Sequence, residues 1–204
     1  MKLIRHALIL GLATATVASA QVPPPAGKAP AKIEPGTYAV EPNHTRVLFG
    51  VDHMGFTTYY GNFTGVSGTL TLNAPKAEGS TLTVTIPTAS VSTTNEKLDG
   101  ELKSADWLDA TKYPDMTFKL TGLKQTGAEA AQVTGELTMH GVTKPVTLSV
   151  KLHGNGPNVM SKKTTVGFDV TGTLKRSDWG VTKYVPLIGD NVEIIISAAF
   201  EKQG

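Results

Sequence analysis

Period-two alternation of apolar and polar residues dominates the chain. Leu82, Val84 and Ile86 share one face, with Thr81, Thr83 and Thr85 on the other. Val146, Leu148, Val150 and Leu152 alternate with Thr147, Ser149 and Lys151, and Val166, Phe168 and Val170 continue the pattern. Ile194, Ile196, Ala198 and Phe200 close it, while Val133, Leu137 and Met139 share a face of another run. Successive side chains of a strand point to opposite faces, so this rhythm marks antiparallel strands with one dry face. The pattern predicts strands near 37–41, 45–54, 58–72, 80–87, 115–123, 130–140, 145–154 and 163–175, with a ninth at 191–201. Turn-rich stretches such as "NAPKAEGS", "LKQTGAEAAQ" and "HGNGPNV" separate them. The fold class is all-β, an antiparallel barrel or sandwich of about eight strands.

One segment breaks the rhythm. In "TTNEKLDGELKSADWLDATKYP", Leu98, Leu102 and Ala105 fall at helical spacing, which predicts a short helical segment near 95–110. Asn95 or Thr94 can cap its start. Ser104 can begin a second short turn carrying Trp107 and Leu108, and Pro114 ends it by pushing Tyr113 toward extended geometry. The acidic residues Asp99, Glu101, Asp106 and Asp109 read as its solvated face. A helix inserted between strands of a barrel caps one end.

The N-terminus changes the reading of compartment. "MKLIRHALILGLATATVASAQ" has a basic start, a short apolar run and an A-x-A cleavage signal. Residues 1–20 are therefore expected to be a signal peptide, and 21–36, "QVPPPAGKAPAKIEPG", a Pro/Ala-rich linker. Residues 37–204 form one domain, expected in the periplasm. The chain has no cysteine and hence no disulfide framework. Its 19 Lys and Arg face 17 Asp and Glu, and loss of Lys2 and Arg5 with the signal leaves the mature chain near neutral. That balance argues against nucleic acid as a partner. No other apolar run reaches membrane length, and the alternate faces of the strands are Thr, Ser and Lys rather than a lipid-facing band, so no stable membrane insertion is expected.

Candidate chemistry is sparse. His44, His53, His140 and His153 show no metal-ligand spacing, and no nucleophile elbow, P-loop or dinucleotide fingerprint occurs. We therefore expect no metal site, no cofactor and no catalytic residue. Two stretches stand out. "LFGVDHMGFTTYYGNFTG" (48–65) places Phe49, His53, Met54, Phe56 and Phe63 among glycines, a composition suited to the wall or gate of an apolar cavity. Strand parity puts Phe49 and Val51 on the face of His53, with Met54 turned away unless a bulge intervenes. "LKRSDWGVTKYVPLIGDNVEI" (174–194) crowds Arg176, Trp179, Lys183 and Tyr184 into a loop. It reads either as a structural loop, with Arg176 on Asp178 or on carbonyls, or as a cationic mouth in which Arg176 or Lys183 meets a lipid head group. Trp107, Phe118 and Phe168 complete the expected ligand-binding set. A second function class stays open: an isomerase or hydrolase of a small hydrophobic substrate, using His53, Tyr59 or Tyr60 for acid–base work.

Four ordered blocks resemble the YceI-like family of exported polyisoprenoid-binding proteins. They are "YAVEPNHTRVLFGVDHMGFTTYYGNFTGVSGTL", "LKSADWLDATKYPDMTFKL", "GELTMHGVTKPVTLSV" and "GFDVTGTLKRSDWGV", and together they span about 37–201. In the helix, Lys97 and Glu101 depart from residues frequent in relatives. The resemblance implies a lipocalin-like barrel holding an isoprenoid or other long-chain lipid, and a homodimer.

Overall fold

The computed structural model describes residues 26–28, 33–73 and 77–204. The expected signal peptide lies outside the described residues. Within the stretch read as a linker, Gly27 forms an isolated bridge with Asn155, and Gly36 already begins the first strand.

Among the described residues ten strands form, all paired antiparallel: β1 Gly36–Val40, β2 Arg46–His53, β3 Thr57–Phe63, β4 Ser67–Leu72, β5 Thr81–Pro87, β6 Asp115–Gln125, β7 Ala130–Met139, β8 Val142–Pro157, β9 Thr164–Lys175 and β10 Ile188–Lys202. The order β1-β4-β5-β6-β7-β8-β9-β10 closes on itself through β1–β10 pairing, giving an eight-stranded antiparallel barrel of lipocalin-like type. The surplus arises from interrupted strands. β10 pairs with β1 through its last residues and with β2 through Ile188–Ser197, so β1 and β2 run in line along one neighbour. β3 and β4 do the same on the far side, β3 against β2 and β4 against β1. The run expected as one strand over 58–72 is broken at 64–66, where Gly65 takes φ 65°. The inward parity shifts across the break, from Tyr59 and Phe63 to Val66, Leu70 and Leu72, so the run is two strands.

Among the described residues the one α-helix, α1, spans Glu96–Lys103. Asn95 caps it, its side-chain oxygen accepting from the Leu98 N–H at 3.2 Å. Asp99 reaches back to the preceding loop, accepting from the Thr93 N–H and hydroxyl at 2.6 and 2.7 Å. Leu98, Leu102, Trp107 and Leu108 turn toward the barrel interior.

The barrel has two unlike ends. At the α1 end lie the β2–β3 turn (54–56), the 88–114 connection with α1, the tight β7–β8 turn at His140-Gly141, and the 176–187 connection. At the opposite, terminal end lie the loops 73–80, 126–129 and 158–163, together with the start of β1 and the end of β10. Each end has its own buried cluster. Val47, Phe63, Val66, Ile86, Val91 and Met116 pack near α1, and Tyr38, Leu70, Leu152, Val166 and Phe200 pack near the termini. Between them, inward residues such as Val146, Leu148 and Val150 stay only half-buried, because they face open space.

Candidate functional site: an apolar cavity through the barrel

The inward faces enclose a cavity of about 850 Å³. That is within the range of roughly 300–1,000 Å³ typical of small-molecule sites. β2 shows how the sequence builds its wall. Val47, Phe49, Val51 and His53 all face inward, in the parity expected from period two. Across from them on β3, Tyr59, Gly61 and Phe63 do the same in register, with Phe49 opposite Gly61. The glycine is required there: a Cβ at Gly61 would sit 2.3 Å from the ring of Phe49. Gly135 serves Phe118 likewise, with an added Cβ 2.3 Å from that ring. Each aromatic ring thus lies along the wall over a neighbouring glycine instead of filling the lumen. Phe49 and Phe63 contact at 5.6 Å between ring centres, and Phe168 meets Phe200 edge to face at 6.1 Å.

Of the ten candidate residues, Phe49, His53, Phe63, Trp107, Phe118, Phe168 and Arg176 line the cavity. Met54 and Phe56 do not. They occupy the β2–β3 turn and are 49 and 82 % exposed. No bulge shifts β2, so Met54 faces away from His53, and the turn carries Phe56 into solvent. Trp179 is also outside the cavity, 2 % exposed, with its indole N–H donating to the Leu137 carbonyl at 3.1 Å.

Arg176 is an organiser of the 180–189 loop. Its Nε–H donates to the Gly189 carbonyl at 2.9 Å, Nη1 to Val181 at 2.8 Å, and Nη2 to Lys183 and Ile188 at 2.9 Å each. Burial pushes its pKa down, and nearby Asp190 partly restores it. Its guanidinium lies 5.5 Å from the centre of the Trp107 ring. With four N–H groups spent on carbonyls, the structural reading of this arginine replaces that of a free cation at a mouth. Lys183 is committed as well, its Nζ 2.6 Å from Asp106. That hydrogen bond is the main reason the Lys183 pKa is raised. Asp106 is therefore a loop tie, not part of a merely solvated face.

The same loop is pinned to β7–β8. His140 Nδ1 lies 3.0 Å from the Trp179 carbonyl, Tyr113 packs edge-on to the His140 ring at 5.0 Å, and Lys144 pairs with Asp178 at 3.2 Å. Ser177 donates through its N–H and hydroxyl to Asp190 at 2.9 and 2.8 Å, which lowers the Asp190 pKa. Near the start of β2, Glu41 accepts from the His44 N–H at 2.8 Å and lies 2.5 Å from His44 Nδ1. Burial opposes its ionisation, but the hydrogen bonds from His44 and Asn43 prevail and lower its pKa. His153 lies on the outside, 2.9 Å from Asp169. Among the described residues no group of three or more His, Cys, Asp or Glu gathers as a metal site would need.

Several polar groups on the wall have no hydrogen-bond partner among the described residues, the buried Trp107 indole N–H among them. His53 and Tyr59 are half-buried, 6.1 Å apart, and neither side chain hydrogen-bonds among the described residues. Beside them Tyr184 meets Trp107 edge-on at 6.1 Å and also lines the cavity. Sequence reasoning placed Tyr184 in the loop but not in the ligand set. Its apolar neighbours Val185, Pro186, Leu187 and Ile188 were the available signal.

The YceI-like domain model matches residues 38–200. The chain belongs to the YceI-like family. Protein YceI of Shigella flexneri is 39 % identical over 157 residues, covering 77 % of this chain and 81 % of that protein. A UPF0312 protein of Ectopseudomonas mendocina is 37 % identical over 162 residues, covering 78 and 84 %. Among solved structures, Burkholderia cenocepacia BcnA aligns at TM-score 0.71 and 26 % identity, covering 78 % of this chain and 98 % of that one. A polyisoprenoid binding domain from Saccharophagus degradans aligns at TM-score 0.60 over 81 and 98 %, at 15 % identity, and so attests the shared YceI-like fold alone. Among the described residues no helix is long and apolar enough to cross a membrane.

Proposed function

We propose that this YceI-like protein is an exported lipid carrier. It holds a polyisoprenoid or similar long-chain amphiphile inside the barrel, for transport, storage or protection under stress. One observation carries this reading: the apolar cavity of about 850 Å³ running between the two buried clusters. The ligand class named for the S. degradans domain is consistent with it. Burying one methylene yields about 0.8 kcal/mol, so ten yield roughly 8 kcal/mol before ordering costs. Chain length therefore supplies affinity, and a binding protein needs few polar contacts. His53 and Tyr59 offer an imidazole and a phenol hydroxyl to the polar head. Phe49, Phe63, Phe118 and Phe168 take the chain. Arg176 and Trp179 act on the ligand indirectly, by holding the loop that carries Tyr184.

The test is native mass spectrometry of protein purified from a bacterial periplasm, followed by organic extraction. A bound mass that extracts as an isoprenoid or other long-chain lipid supports the carrier. Leu120→Trp and Ile194→Trp place bulk on the inward wall and should reduce occupancy severalfold, whereas outward Thr134→Trp should not. Protein that is empty and refuses added lipid overturns the reading.

A further inference from the structure

The outer edge of the α1 end carries apolar side chains that neither the core nor the cavity explains. Phe56 is 82 % exposed, Leu187 65 %, Tyr184 56 % and Met54 49 %. They come from two turns joined by a hydrogen bond from the Met54 N–H to the Leu187 carbonyl at 3.0 Å. Their chain neighbours His53 and Ile188 pair with each other and face the cavity, which Tyr184 also lines. Cavity wall and rim are one continuous apolar surface, passing from the lumen to the outside.

Two of these side chains are held at a backbone cost. Met54 has φ 57° and Tyr184 φ 62°, the left-handed region that disfavours residues with a Cβ. Met54 and Gly55 (φ 72°) are the two central residues of the β2–β3 turn, a place where Asn-Gly is the favoured pair. Methionine there gives up backbone energy and also leaves apolar area in water. Residues kept in strained conformations point to a demand other than folding. At the terminal end the exposed apolar residues Val159 and Met160 are set apart from the lumen: Asn73, Ala77, Ala128 and Glu129 of the neighbouring loops line the cavity, but no residue of 158–163 does.

We propose that this rim seats the protein, α1 end first, on a phospholipid bilayer, with Met54, Phe56, Tyr184 and Leu187 entering its interfacial zone. The continuity of rim and wall selects the occupant. A hydrocarbon phase extends that surface without an intervening layer of water, and Tyr184 has the apolar body and polar tip that such an interface favours. The carrier reading supplies the purpose of docking; the docking itself stands on the rim.

The experiment is flotation of the full chain with phosphatidylethanolamine–phosphatidylglycerol vesicles, alongside lipid occupancy measured separately after loading from detergent. The native protein should float. Phe56→Ser and Leu187→Ser should each lower vesicle affinity about tenfold, with detergent-loaded occupancy unchanged. Met54→Asn should lower flotation while raising Tm by roughly 2–4 °C, because asparagine accepts the left-handed backbone. A merely structural methionine would not show that opposite movement. Rim variants that float like the native protein overturn the proposal. So does loss of flotation with Met160→Ser alone, or a rim whose substitution only turns a dimer into a monomer, which would make a second copy the occupant. Protein that docks yet accepts no lipid from detergent refutes the carrier and leaves docking standing.

Discussion

The two ends of the barrel solve the same problem differently. The terminal end, whose loops 73–80 and 126–129 also line the cavity, is held by short-range packing. Tyr38, wholly buried, donates its hydroxyl to the Glu34 carbonyl at 2.7 Å, and the end of β10 folds over the start of β1, with Lys202 on Glu34 and Lys163 on Glu201. The α1 end is instead assembled from four separate connections. It depends on one arginine spread over four carbonyls, on His140 and Trp179 tying loop to hairpin, and on Lys183 reaching Asp106. It also holds Met54, His140 and Tyr184 at positive φ. Packing decides the terminal end, and buried polar ties decide the α1 end. Such ties are costly to leave incomplete, so the α1 end has more to lose from a single change.

The largest difference should come from Arg176→Met. It leaves the carbonyls of Val181, Lys183, Ile188 and Gly189 without their donor. We expect a loss of about 3–5 kcal/mol in a denaturant titration. Hydrogen exchange should rise across 176–190 while the amides of β1 and β4 keep their protection. Equal loosening at both ends would refute the division. Gly135→Ala, which forces Phe118 off the wall and into the lumen, should cost roughly 1–3 kcal/mol and reduce cavity volume in a crystal structure.

Acid should separate the ends by titration. Glu41, Asp99 and Asp190 all have lowered pKa values in the fold. Each therefore contributes stability that is present above its unfolded value, 4.5 for Glu41 and 3.8 for the two aspartates. That contribution is lost as pH falls through the folded value. Thermal melts should decline below about pH 4, and Asp190→Asn should flatten part of the decline. The smallest effect belongs to the terminal end. Lys202→Ala removes one partly exposed ion pair and should cost no more than about 1 kcal/mol, shrinking further in high salt.

Much of this was legible in the chain, for specific reasons. β8 alternates so regularly over 146–152 that its faces follow from parity, and parity likewise put Phe49 and Val51 on the face of His53, the face that lines the cavity. The helix followed from Leu98 and Leu102 and from its Asn95 cap. Met54 and Phe56 were grouped with the wall because they lie beside it in sequence. Both sit in the 54–56 turn that reverses the chain, and parity ends where the strand ends. Arg176 had two readings of equal chemical sense, since its partners are carbonyls, and carbonyls leave no mark on composition.

Alternation alone required an antiparallel sheet with one dry face, because each side chain's direction is set by its immediate backbone. Whether that dry face would meet a filled core or an empty lumen was a matter of curvature and closure. β1 meeting β10, rings lying over Gly61 and Gly135, and a loop gathered around one guanidinium settled it. Those are contacts between residues distant in the chain, and a local pattern does not encode the distance across a barrel.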